Sequence, residues 1–171
     1  MRRAASWIVV TLALGLIGGC GWQLRGAGGA ALDGRALAIE SPADTAVLVR
    51  TVRRELATLG AETVAPERAE QVLVLLGERT RRRVLAEDDR GHATEYELGY
   101  TLSYRLADAG GKVVRSREVA TAEGSYRASG DDALAEQSRR ERLTDELRAE
   151  AVRLMLARVA AVAPDAAPPE P

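Results

Sequence analysis

The chain is poor in the residues that build reactive sites. Its 171 residues include one cysteine, one histidine and no phenylalanine. A single thiol cannot close a disulfide within the chain, and one histidine with one cysteine cannot supply the four ligands of a structural zinc site. A serine hydrolase triad would have to use His92, and no serine stands in a nucleophile-elbow context. Lysine is nearly absent as well: Lys112 is the only one, so arginine carries almost all the positive charge. A net charge of −1 gives no bias toward nucleic acid or an acidic membrane. The longest apolar run, residues 4–17, is interrupted only by Ser6 and Thr11 and falls short of the roughly 20 residues of a spanning helix.

What is present begins with that run. Arg2 and Arg3 precede it, and Ile17, Gly18 and Gly19 lead into Cys20. A basic start, an apolar stretch and small residues at a cut form a secretory signal. A cysteine directly after them is the pattern of a bacterial lipobox, in which the thiol is diacylated, the signal is removed and the new amino group is acylated. The expectation is a signal peptide over residues 1–19 and a mature chain that starts at lipidated Cys20, held in the outer membrane. A triacylated terminus anchors firmly, at about 0.8 kcal/mol per buried methylene. Gly21 follows the cysteine where an inner-membrane lipoprotein commonly has Asp. A plain signal with an incidental cysteine and a redox cysteine are the other readings of the same residue. Trp22, two residues on, suits either a membrane interface or a protein contact.

Downstream, residues 20–34 read as a lipidated terminus and glycine-rich spacer, 35–163 as one domain, and 164–171 as a proline-rich disordered tail. "RALAIES" is a short strand stopped by Pro42, with Asp44 a candidate N-cap. Val47, Leu48, Val52, Leu56 and Leu59 repeat at helical spacing, and Gly60 ends that helix. The stretch from Gln71 opens as a buried strand and turns polar toward Asp88. In "EYELGYTLSYRL", Tyr96, Leu98, Tyr100, Leu102, Tyr104 and Leu106 alternate with polar residues, the mark of a long half-buried antiparallel strand. "DAGGK" is a hairpin turn leading to a third long strand over 113–126. Residues 129–162 form a helix capped by Asp131 or Asp132, with Leu134, Leu143, Leu147, Ala151, Leu154 and Val162 as its apolar stripe. The expected fold is α+β: a two-layer sandwich of two helices on one face of a four-stranded, mostly antiparallel sheet, elongated by its hairpins.

The candidate site residues are cationic. Arg79, Arg81, Arg82 and Arg83 lie toward the far end of one strand, and Arg90 lies in the turn after it. A guanidinium donates to phosphate through a planar fork. The same arginines also suit a solvated strand end that discourages edge pairing. His92 reads as a solvated turn residue and Glu95 and Glu97 as solvated strand positions. Gly130–Asp132 lacks the further oxygens of a cation loop, and "GAGG" opens no phosphate-binding loop. No catalysis, cofactor or metal follows from these residues.

Together, "CGWQLRG" after the lipobox, the helix "VRTVRRELATLGAE", the strand "ATEYELGYTLSYRL" and the last helix after "ALAE" resemble the lipopolysaccharide-assembly lipoproteins, the LptE family. The resemblance spans nearly all of residues 20–162. It implies a plug inside the large outer-membrane β-barrel LptD, helping that barrel fold and insert lipopolysaccharide, with lipopolysaccharide itself a ligand. It also implies a basic residue in the turn before the Glu-Tyr strand, matched by Arg90, and Arg79, Arg81 and Arg83 can meet lipid A phosphates. Family members can carry a lysine just after the "ALA" of the last helix, where this chain has Glu136. An auxiliary outer-membrane lipoprotein of another lipid or solute transport system is the alternative function, and an enzyme or wall-binding lipoprotein a third.

Overall fold

Tyr and Leu side chains repeating every second residue force one face of a strand into the core, and the fold is organised around that face. In the computed structural model, which describes residues 31–128 and 132–163, Leu98, Tyr100, Leu102, Tyr104 and Leu106 are all buried. They belong to β4, Ala93–Asp108. The strand is flanked by two other long ones, β3 (Gln71–Glu87) and β5 (Val113–Arg127), both antiparallel to it.

At the β3 side the sheet changes character. β1 (Ala36–Glu40) runs parallel to β3, joined to it through α1 (Ala46–Thr58). A two-residue strand, β2 (Glu62–Thr63), pairs parallel to β1 on its outer edge. The sheet is therefore five-stranded and mixed, in the order β2-β1-β3-β4-β5, where four mostly antiparallel strands were expected. Glu62 and Thr63 are both exposed and too few to carry an alternation, so no hydrophobic pattern announces the fifth strand. α2 (Ala133–Ala160) packs across β4 and β5, and α1 packs beside α2. Leu48, Val52 and Leu56 of α1 meet Leu147, Val152, Met155 and Leu156 of α2 in one core with the Tyr/Leu face of β4.

Several local expectations need correction. Asp44 does not cap α1; it lies in a 3-10 turn, Ala43–Thr45, in which the Thr45 hydroxyl donates to the Pro42 carbonyl at 2.7 Å. Gly60 does follow the C-cap Leu59, with φ +76°, and its amide hydrogen bond to Ala57 closes the helix end. Asp132 caps α2 by accepting from the Ala135 amide at 2.9 Å; Asp131 lies outside the described residues. Leu134 and Leu154 leave the stripe, at 74% and 40% exposure, and the buried face runs instead through Leu147, Ala151, Val152, Met155, Leu156 and Val159. Leu32, assigned to the spacer, is fully buried in the core, and the Gly34 amide donates to the Gly60 carbonyl at 3.0 Å. Cys20, Trp22 and the tail over 164–171 lie outside the described residues.

One irregularity decides where the arginines go. Leu75 pairs with Tyr104 but Gly77 pairs with Ser103, so Leu76 is an extra residue with no partner on β4. This is a β-bulge, and Gly77 takes φ +134°, where a side chain would be strained. The bulge exchanges the two faces of β3. Leu73 and Leu75 point at the helices before it. After it, Glu78, Thr80, Arg82 and Val84 stand opposite Leu102, Tyr100, Leu98 and Tyr96 on the helix side. Arg79, Arg81 and Arg83 are thereby turned to the opposite face, which no helix covers.

Candidate functional site

The two faces of the sheet treat charge differently. On the helix face, Glu78 accepts from the Tyr100 hydroxyl and, at 3.0 Å, from Arg148 Nε of α2. Arg148 also binds Asp145 one turn earlier. Burial, and then the bond to Glu78, push the Tyr100 phenol well above its ordinary pKa. Tyr104 donates to Glu118 at 2.7 Å, and burial followed by that bond raises it to about 12. Arg82 stacks over the Tyr96 ring, 4.4 Å from its centroid, and binds Glu136 of α2 at 3.1 Å. Each of these charges has a partner, and the buried phenols beside them are thereby satisfied.

The open face divides into two halves. Toward the hairpin tip it is neutralised. Arg83 grips Glu97 with both ends of its fork, Nη2 at 2.8 Å from Oε2 and Nε on Oε1. That contact holds the Glu97 carboxyl below the usual carboxylate range, with Arg81 adding to it. Ser125 donates to Glu95 at 2.7 Å. Glu95 and Glu97 are thus paired across strands and not merely solvated.

Toward the bulge the same face is cationic. Arg79 and Arg81 of β3 stand over Thr101 and Gly99 of β4, and Arg117 of β5 reaches the Ser103 hydroxyl at 3.3 Å. Among the described residues none of these three arginines has a carboxylate within 4.0 Å. They line a shallow groove of about 550 Å³ with Thr101, Ser103, Leu76 and Val119. Leu76 and Val119 are 41% and 43% exposed, so apolar surface borders the cations directly. Guanidinium groups, hydroxyls and flanking methyl groups suit an anion attached to an apolar body. No cluster of three metal-ligating side chains occurs among the described residues.

Comparison with known proteins places the molecule. A family model described as "LptE: Lipopolysaccharide-assembly" matches residues 34–159, most of the chain. The chain belongs to the LptE lipopolysaccharide-assembly family. Among solved structures, lipoprotein B from Nitrosomonas europaea superimposes with a TM-score of 0.66 at 24% identity, covering 82% of this chain and 91% of that one. A minor lipoprotein from Acinetobacter baumannii gives 0.63 at 22% identity, over 76% and 93% of the two chains. Rare lipoprotein B from Shewanella oneidensis gives 0.64 at 26%, over 74% and 95%. No curated protein matches the chain. No described helix is long and apolar enough to cross a membrane.

Set on the LptE fold, the five arginines singled out from sequence do not form one site, Arg82 being turned to the helix side. Arg79, Arg81 and Arg83 share the open face, but Arg83 is consumed by Glu97. Arg90 lies apart, at the tip of the β3–β4 hairpin, where its amide donates to Asp88 at 2.9 Å. The His92 and Arg90 amides hold the Asp88 carboxyl below its ordinary range, so this tip is a self-satisfied turn. Glu136, where the resemblance pointed to a lysine, answers Arg82 across the helix–sheet seam. Sequence reasoning missed Arg117, Leu76 and Val119. A signal was available for Leu76: a glycine inside a strand marks a bulge.

Proposed function

We propose that this protein is an outer-membrane lipoprotein, anchored through Cys20, that fills the lumen of an LptD-type β-barrel and assists the insertion of lipopolysaccharide at the cell surface. The match to the lipopolysaccharide-assembly family across 34–159 carries this reading. The physical case is consistent with it. A barrel wide enough to pass a glycolipid has a polar lumen. A domain whose sheet presents an open polar face and a long polar hairpin can occupy such a space, with the backbone of its central strands already paired and only the edges β2 and β5 left to meet water or the barrel. Arg79, Arg81, Arg83 and Arg90 are its candidate contacts to lipopolysaccharide. The role is binding and assembly, not catalysis.

The test is a detergent pulldown of the tagged full-length protein from its own membranes, with mass spectrometry of what accompanies it. A stoichiometric large β-barrel that survives high salt is the expected result. Recovery of the lipoprotein alone, or with an inner-membrane transporter, would overturn the barrel assignment.

A further inference from the structure

The open face has a composition that the assembly role does not by itself require. Three guanidinium groups from two different strands face solvent with two hydroxyls in the same groove and, among the described residues, no carboxylate within 4.0 Å. Glu97, opposite Arg83 and nearer the tip, is held by Arg83; Glu123 lies level with Arg81 across Gly99, and neither carboxylate comes within 4.0 Å of Arg81. Glu78 borders the groove, but its carboxylate is turned through the sheet to Tyr100 and Arg148. Three like charges lining one groove favour an anion that carries more than one negative group and spans it. The apolar surface is equally local. The bulge that turns Arg79 and Arg81 outward is the one that extrudes Leu76 beside them, and Val119 lies across the sheet next to Arg117. On β3, cation and apolar surface therefore come from one backbone feature, Gly77 included; Arg117 and Val119 are added by β5.

We propose that Arg79, Arg81 and Arg117 form a phosphate subsite on the open sheet face, and that Leu76 and Val119 hold the acyl root of the same lipid. The occupant is the phosphorylated, acylated end of lipopolysaccharide. This inference rests on the lipopolysaccharide reading above and sharpens it: the subsite excludes Arg83, which is paired, and Arg90, which is at the tip. It adds Arg117, which lies on a different strand. Multidentate contact from arginine is the expected recognition of phosphate.

The experiment uses the full lipidated chain in detergent, titrated with purified lipopolysaccharide, with the same lipopolysaccharide after enzymatic dephosphorylation, and with inorganic phosphate. Arg79→Gln/Arg81→Gln/Arg117→Gln together should weaken binding of the intact glycolipid at least tenfold, while Arg153→Gln, an exposed arginine of α2, changes it less than twofold. Dephosphorylation should weaken binding to the wild type by a similar factor and to the triple variant hardly at all. Leu76→Ser/Val119→Ser should lower glycolipid affinity severalfold without altering any weak phosphate binding. All these side chains are exposed, so unchanged circular dichroism and melting are expected to accompany the loss. If the triple variant binds as tightly as wild type while Arg90→Gln loses binding, the subsite is overturned and the lipopolysaccharide reading survives. If wild type binds no glycolipid, the reading of lipopolysaccharide as a ligand falls with it. If the triple variant keeps glycolipid binding but no longer recovers a barrel from membranes, the face contacts the barrel wall, and the subsite is again overturned.

Discussion

The helix-covered face and the open face of one sheet contain the same residue types and use them in opposite ways. Under the helices, Glu78, Tyr100 and Arg148 satisfy one another, as do Tyr104 and Glu118. On the open face near the bulge, Arg79, Arg81 and Arg117 have no carboxylate partner among the described residues. The difference teaches that charge on a strand carries no functional meaning until its face is known. Arg81, Arg82 and Arg83 are adjacent in sequence, yet one faces the groove, one stacks on Tyr96 beneath the helix, and one is tied to Glu97.

Deleting Leu76 breaks this contrast most severely. Removing the bulge residue returns β3 to strict alternation beyond Leu75, and a one-residue slip moves every later side chain to the other face. Arg79, Arg81 and Arg83 would be driven toward the helices and Glu78 and Arg82 away from their partners. Burying unpaired charge and breaking paired charge each cost several kcal/mol, so the loss should exceed about 4 kcal/mol. Thermal and urea unfolding followed by circular dichroism should show a protein that is unfolded or lacks a cooperative transition. A native-like melt would mean the faces are not set by the bulge.

The comparison also marks how far sequence reading reaches. Both helices, the three long strands and both hairpin turns are legible because each has a period or a turn composition of its own. The Tyr/Leu alternation over 96–106 is legible for the strongest reason: one face is wholly buried. β2 is not, because two exposed residues joined to β1 by backbone bonds carry no pattern. The α2 stripe is misplaced at Leu134 because that end of the helix has little to pack against, so an apolar side chain at helical spacing stays in solvent. The arginine cluster is half legible. Arg79, Arg81 and Arg83 fall on one face by their spacing of two, but which face depends on Leu76. Whether they are free depends on Glu97 of the neighbouring strand, 14 positions from Arg83 and ordered by no local rule.

A milder break is Arg148→Met, which keeps the packing volume and removes the cation beneath the helix. Glu78 would keep Tyr100 but lose its charge partner in a half-buried setting. Leaving one member of such a pair costs about 1–3 kcal/mol, partly relieved by solvent at Glu78. Adding Glu78→Gln should recover part of it, giving a coupling of about 1 kcal/mol in a double-mutant cycle by urea unfolding. Strict additivity of the two changes would mean that Arg148 packs against the sheet but does not pair with it.

The smallest effect is the most specific to the covered face. Tyr104 is buried and donates to Glu118, and its pKa is raised from the ordinary 10.0 to about 12. The folded protein therefore keeps this proton over a range where the unfolded chain has released it, and stability falls as pH rises through that range. The contribution is intact below pH 10.0 and lost by about pH 12. Tyr100 is shifted in the same direction and stays in place, so Tyr104→Phe should still lose stability in alkali, but less steeply than wild type. At pH 8 the variant should be about 0.5–1.5 kcal/mol less stable, the usual worth of a hydrogen bond. By pH 11.5 that gap should have narrowed or closed, as read from urea midpoints at the two pH values. If wild type and variant fall in parallel, the Tyr104 proton is not held by the covered face, and the two faces differ less in their treatment of charge than their hydrogen bonds indicate.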